Sequence, residues 1–200
     1  MKVKIVVFLA LLGYALFLAP GANNADDTIF TSLITGSFDE VDPLVVAVFS
    51  MLGLYPLIFA MLLLPKDVYR IPAWPFSILA FGLGAFPLLP YLIIRGKVTR
   101  QSPRGPGFLQ KALLHPLLIV LAAIIALLLY VTALQGSISA FQDAFMSSHL
   151  VSVMTVDFLV LIWLSYDVLK KEWGLRYSWL AFIPAFGPLV LLLMRKRFVA

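Results

Sequence analysis

Asp157 stands alone in an apolar run, Val153-Met154-Thr155-Val156-Asp157-Phe158-Leu159-Val160-Leu161-Ile162-Trp163. A charged carboxylate near the centre of a bilayer costs roughly 2.5–3.5 kcal/mol on insertion scales, so it must be protonated, paired or turned toward a polar cavity. Two chemistries follow. One is a proton or cation site, or a ligand contact. The other is a structural carboxyl that hydrogen-bonds between helices, through Thr155 or a backbone group freed by proline. Asp167, near the end of the same apolar stretch, is a second intramembrane polar candidate. His149 and His115 are two more, each at a predicted helix start. Imidazole there could hold a tetrapyrrole metal or titrate near neutral pH, or it could sit at an interface with no ligand role. His149 lies two turns from Asp157 but is offset by about 80° around a helix, which makes it a poor partner.

Other chemistries find no residues. The chain has no cysteine, so disulfides, thiolate metal sites and cysteine nucleophiles are all absent. There is no Gly-x-Ser-x-Gly, no His-Glu-x-x-His and no phosphate-binding Gly-x4-Gly-Lys-Ser/Thr. The sequence therefore assigns no catalytic residue and no metal site, leaves the cofactor unassigned, and leans away from an enzyme. The most basic stretch, Arg95 to Ala112, carries Arg95, Lys97, Arg100, Arg104 and Lys111 around Pro103-Arg104-Gly105-Pro106-Gly107. It reads as a solvated loop whose Arg95, Lys97, Arg100 and Arg104 meet lipid headgroups. The pI near 9.6 does not point to nucleic acid, because the charges sit at helix ends and in this one loop.

The elements that must position these residues are apolar to an extent that defines the class. The 200 residues are 62% hydrophobic and 12% charged, with a mean hydropathy of +1.01, against roughly 25% charged in a soluble domain. Runs such as Leu117–Leu129 are apolar all round, which excludes the alternating pattern of a membrane β-barrel. The fold class is therefore all-α: a polytopic integral membrane helical bundle in one domain, with about six transmembrane helices. Residues 1–22 are the first of these or a signal peptide, since Lys2 and Lys4 precede an apolar run from Ile5 to Ala19. A retained helix is the reading preferred here. Cleavage would leave five helices in a domain of residues 23–200.

The second helix is predicted at Leu44–Leu64, with Gly53 and Pro56 inside it. The third is predicted at Pro75–Ile94, where Ala80, Gly82, Gly84 and Ala85 offer a small-residue surface for close helix approach and Pro87 and Pro90 bend the second half. The fourth, Leu113–Leu134, is uninterrupted and expected to be the most lipid-exposed. The fifth is His149–Leu169 and the sixth Ser178–Met194. Gly21–Pro43 is an acidic linker with Asp26, Asp27, Asp39, Glu40 and Asp42. Six crossings with a cytoplasmic N-terminus divide the basic clusters almost equally between the two sides, so the positive-inside rule leaves the later helices unoriented.

One internal similarity bears on this. Leu79-Ala80-Phe81…Ala85-Phe86-Pro87-Leu88…Arg95 matches Leu180-Ala181-Phe182…Ala185-Phe186…Pro188-Leu189…Arg195. With one helix between them, the second-and-third and fifth-and-sixth hairpins would form an inverted repeat.

Several stretches also carry a family resemblance. Met51-Leu52-Gly53-Leu54-Tyr55-Pro56, Leu62-Leu63-Leu64-Pro65, Pro72-Ala73-Trp74-Pro75-Phe76, Gly84-Ala85-Phe86 and Leu88-Leu89-Pro90-Tyr91 resemble a group of uncharacterised multi-pass membrane proteins of cyanobacteria and plastids. Asp157-Phe158, Trp163, Asp167, Pro184, Gly187-Pro188, Leu191 and Arg195 are similar to the end of those proteins and to the DUF2834 membrane family. The resemblance implies a bacterial inner or thylakoid membrane and brings no established activity. Three roles are expected. The first is a structural or assembly role beside a membrane complex, photosynthetic among them. The second is a small transporter or channel using Asp157, and the third a lipid- or pigment-modifying enzyme. The expected partners are the lipid bilayer and a membrane protein complex, and not nucleic acid.

Overall fold

A computed structural model describes residues 2–22, 27–195 and 197. Asp26 of the acidic linker and Lys196 of the terminal basic triplet lie outside the described residues. The described residues form helices joined by turns and loops, with no strand among them beyond one isolated antiparallel bridge between Tyr69 and Val98. In chain order the helices are α1 (Lys2–Gly13, prolonged by a π turn over Tyr14–Leu18), α2 (Thr28–Thr35), α3 (Pro43–Leu63), α4 (Trp74–Leu83) and α5 (Ala85–Ile94). They continue with α6 (Gly107–Leu113), α7 (Pro116–Ala133), α8 (Ile138–Ser147), α9 (His149–Lys171) and α10 (Phe186–Leu193), the last preceded by a 3₁₀ segment, Ser178–Phe182.

The helix starts are written in the sequence. Pro43 and Pro116 occupy first-turn positions, where a missing N–H costs nothing. Asp27, Asp42, Ser137 and Ser148 cap α2, α3, α8 and α9 through their side chains. Among the described residues three stretches, Pro43–Lys66, Gly107–Ala133 and His149–Lys171, are long and apolar enough to cross a membrane. The second of these, which carries α7, is the least buried, in line with its uninterrupted apolar surface.

The predicted third helix is not one rod. It breaks at Gly84 into α4 and α5, of ten residues each, and the chain doubles back. Arg95, which follows α5, accepts through its carbonyl from the Ile71 N–H, just before α4. Val68 O accepts from Thr99 and Arg100 N–H. Both ends of this hairpin therefore lie together. The predicted sixth helix behaves alike. It enters as the 3₁₀ segment, turns at Ala185 and returns as α10, so that Arg195 Nη2 donates to Leu114 O at the start of α7.

This folding back sets the direction of every element. The α1 rod runs antiparallel to α9, with Lys4 paired to Asp167 (2.8 Å), Tyr14 hydrogen-bonded to Ser152 (2.6 Å) and Ala15 O beside His149 Nε2 (3.0 Å). Helices α3 and α9 run in one direction, α1 and α7 in the other. All lysines and arginines among the described residues gather at one end of the bundle, the basic end. Asp27, Asp39, Glu40, Asp42 and Asp143 lie at the opposite, acidic end. The balanced charge distribution expected from six crossings does not hold, because both broken helices return to the end they left.

Two similar halves result. Each consists of a rod, a short helix at the acidic end, a second rod and a hairpin hung from the basic end: α1–α2–α3–α4/α5, then α7–α8–α9–α10. Caps are exchanged between them. Asp27, the cap of α2, accepts from the Ser148 hydroxyl (2.7 Å), which caps α9. Asp42, the cap of α3, accepts from the N–H of Ser137 (3.0 Å), which caps α8. The sequence similarity is thus a repeat in the same sense, about an axis along the bundle, and the inverted arrangement is corrected. Its cause is that each hairpin returns to the end of the bundle it left.

The tips of the hairpins are exchanged as well. Both contain a residue at φ +55°, Gly84 in the first and Ala185 in the second. The Ala185 N–H donates to the Tyr55 hydroxyl on α3 at 3.1 Å, and Tyr130 on α7 donates to Pro184 O at 2.8 Å. Tyr55 is fully buried, so Tyr55→Phe leaves an N–H without a partner. A loss of about 1–3 kcal/mol is expected, read as a lower midpoint in denaturant titration of the purified protein; an unchanged midpoint would show that the tip is held by packing alone.

Candidate functional site

Asp157 is 3% exposed and meets the first hairpin at its tip. Its Oδ1 accepts from the Ala85 N–H at 2.9 Å, the first residue of α5. That N–H is one of the donors a helix start leaves without an internal partner, and the partial positive charge there suits a carboxyl oxygen. The local sequence makes the arrangement possible. Gly84 takes φ +55°, ψ −124°, a conformation open to glycine. A Cβ on Gly84 would overlap Asp157 Oδ2. Pro87 falls in the first turn of α5, where proline is tolerated. The backbone group that Asp157 satisfies is therefore freed by glycine rather than by proline. Thr155 takes no part, since its hydroxyl donates to Val151 O on its own helix (2.6 Å).

Asp157 Oδ2 makes no hydrogen bond to the described residues, and the side chain lines a cavity of about 380 Å³. Its walls come from α3 (Phe49, Ser50, Leu52, Gly53), from the α4–α5 tip (Phe81, Gly82, Leu83, Phe86) and from α9 (Leu150, Val153, Met154). The lining is apolar apart from Asp157 and Ser50. Ile34, Phe81 and Leu83 are each more than half exposed, so apolar side chains also form the rim. This is the usual make-up of a small-molecule site, a mostly apolar concavity with a few placed polar groups.

The other candidates are placed elsewhere. Asp167 lies toward the basic end, between Lys4 (2.8 Å) and Lys171, in an ion triad. His149 lies at the acidic end with Nε2 3.0 Å from Ala15 O. His115 caps α7, its Nδ1 accepting from the Leu117 N–H at 3.3 Å. None of the three is brought to Asp157. Among the described residues no group of three or more His, Asp or Glu is placed to hold a metal ion.

The four headgroup candidates divide. Lys97 and Arg100 are exposed. Arg95 pairs with Glu172 and lies 4.0 Å over the Tyr69 ring. Arg104 donates to the carbonyls of Tyr69 (2.9 Å) and Arg70 (2.7 Å). Tyr69 also donates to Glu172 at 2.9 Å. Burial, then the Glu172 carboxylate, pushes the Tyr69 hydroxyl above its ordinary range. Burial alone would lower the Arg95 guanidinium, but its hydrogen bond to Glu172 and that carboxylate's charge hold it above its usual value. This cluster binds the mouth of the first hairpin to the end of α9.

Sequence reasoning found Asp157 but missed its partner. The signal was present in Gly84-Ala85-Phe86-Pro87, a glycine followed within three residues by a proline suited to a first turn. The small residues expected to line a helix contact are used differently. Ala80 and Ala85 are buried, whereas Gly82 has nothing within 4 Å of a built Cβ and faces the cavity.

Among the described residues, the fold and site define an all-helical protein with three helices long and apolar enough to cross a membrane, and a carboxyl lining an apolar cavity. No protein-family model matches the chain, and no curated protein or solved structure is significantly similar to it.

Proposed function

We propose that this is an integral membrane protein that binds a lipid-soluble molecule in the cavity between α3, the α4–α5 tip and α9, with Asp157 as its polar anchor. The observation that carries this reading is Asp157, a 3% exposed carboxyl whose Oδ1 is held by the Ala85 N–H and whose side chain lines an apolar cavity with an apolar rim. A carboxyl placed among apolar side chains is stabilised by a bound hydrogen-bonding group. The reading favours ligand binding over a through-going transport path, because ion pairs tie the elements together at the basic end. It is compatible with a place beside a larger membrane complex, where the bound molecule would be held or handed on.

In this reading the bundle crosses the bilayer four times, with the α1 rod, α3, α7 and α9. The two hairpins are re-entrant. Ten-residue limbs of roughly 15 Å reach about half of a 30 Å hydrocarbon layer. The basic end faces the cytoplasm or its plastid counterpart under the positive-inside rule. The resemblance to cyanobacterial and plastid proteins suggests a bacterial inner or thylakoid membrane. The buried contacts of Lys4, Leu11 and Tyr14 support keeping residues 1–22 as a crossing.

The absence of cysteine makes the topology directly testable. Single cysteines at Arg70 and Gln101 are expected to react with an impermeant maleimide from the same side, and one at Asp143 from the other. Labelling of positions 70 and 101 from opposite sides would sink the re-entrant hairpin.

The binding reading is tested by purification in a mild detergent, organic extraction and mass spectrometry. Wild type is expected to carry a stoichiometric apolar compound that Gly53→Leu loses, since a side chain at Gly53 would enter the cavity without meeting protein atoms at its Cβ. Identical extracts of bulk lipid from both proteins would overturn it.

A further inference from the structure

Resting on that binding reading, we propose that the cavity selects a flat, rigid apolar molecule bearing one hydroxyl, which lies against Gly53 and Gly82 and hydrogen-bonds to Asp157 Oδ2. Three observations on the cavity lead there.

The first is its glycines. Gly53 is inside α3 and Gly82 inside α4. Glycine within a helix is less stable than alanine, so its presence calls for a reason. At Gly84 the reason is φ and the approach of Asp157. At Gly53 and Gly82 it is neither: both are helical, and a Cβ on either meets nothing within 4 Å. Both are exposed and both line the cavity. What they share is bare backbone on two helices at one opening. A face without side chains suits the broad side of a planar ring or conjugated chain.

The second is the apolar lining. Phe49, Phe81 and Phe86 bring three aromatic rings to the same walls, beside Met154. Rings and thioethers pack well against a flat π-surface.

The third is the chemistry of the anchor. Asp157 Oδ1 is engaged by the Ala85 N–H, which leaves Oδ2 for the ligand. No lysine or arginine lines the cavity, so an anionic ligand would face Asp157 with no compensating charge. An ammonium pairs well only with the ionised carboxyl, and a carbonyl only with the protonated one. A hydroxyl donates to the first and accepts from the second, so it fits Oδ2 in either state.

The probes for the test are 1-pyrenemethanol and 1-methylpyrene, which share a flat apolar body and differ by one hydroxyl. Binding is read by energy transfer from tryptophan to pyrene, with the protein in lipid nanodiscs. Wild type is expected to hold the alcohol roughly tenfold more tightly than the hydrocarbon, the value of one buried hydrogen bond. Asp157→Leu is expected to bind the two alike, with 1-methylpyrene held as in wild type. Gly53→Leu and Gly82→Leu are expected to lose both probes while retaining wild-type helicity by circular dichroism. Equal binding of the two probes by wild type would overturn the hydroxyl assignment and leave the cavity reading standing. Undiminished binding by both glycine variants would overturn the cavity reading itself. A Gly53→Leu protein that still discriminates tenfold would show that the flat group does not lie on α3.

Discussion

Gly84→Ala is expected to destabilise the protein by about 3–5 kcal/mol, from backbone strain and a lost buried hydrogen bond together. An alanine at φ +55°, ψ −124° carries backbone strain of order 1–3 kcal/mol. Its Cβ would also take the place of Asp157 Oδ2. The carboxyl must then swing away from the Ala85 N–H, and a buried donor loses its acceptor. The matched position in the second half runs the other way. Ala185 already sits at φ +55°, so Ala185→Gly relieves strain and is expected to stabilise by about 1 kcal/mol. Unfolding both variants in mixed micelles with increasing SDS checks the pair. Equal midpoints for Gly84→Ala and wild type would show that the tip relaxes without cost, and the account of Asp157 as its cap would fall.

Glu172→Ala is expected to cost about 3 kcal/mol. Removing one partner of a buried ion pair strands the other, which typically costs 3–5 kcal/mol. The Arg95 side chain is 14% exposed, which places the effect at the lower end. One further group loses by the change, Tyr69, which donates to Glu172, and Arg95 has an Nη1 already without a partner. The double variant Arg95→Leu/Glu172→Ala is expected to recover much of the loss, because no charge is left stranded. Urea or SDS titration of the three variants measures the coupling. A double variant as unstable as the sum of the singles would mean that Arg95 and Glu172 act independently.

The helices were legible in the sequence wherever apolar length and a cap coincide. Pro43 after Asp42 and Pro116 after His115 mark the starts of α3 and α7 to within a few residues of the expected positions. Asp157 was legible because a lone carboxyl in an apolar run is physically conspicuous. What composition could not convey is whether an apolar stretch of twenty residues crosses or turns. Pro75–Ile94 has the length and hydropathy of a crossing. Its fate is decided by one glycine torsion and by hydrogen bonds from Ile71, Thr99 and Arg100 to distant carbonyls. The sense of the internal repeat depends on that same turn at Gly84. Asp167 and the basic residues could be located but not paired, since Lys4 and Asp167 are separated by most of the chain.

The exchange of partners between halves has a consequence for the order in which the protein is made. Arg95 and Glu172 are 77 residues apart. At 5–20 residues per second, about 4–15 s of translation separate them. Throughout that interval the first hairpin has been synthesised, yet Arg95 has no counter-charge, and for most of it Ala85 has no acceptor for its N–H, since Asp157 comes only shortly before Glu172. Completion of the N-terminal half is therefore timed by the ribosome's progress through α9, and until then its nascent tip is a natural client for whatever shelters unfinished polar groups.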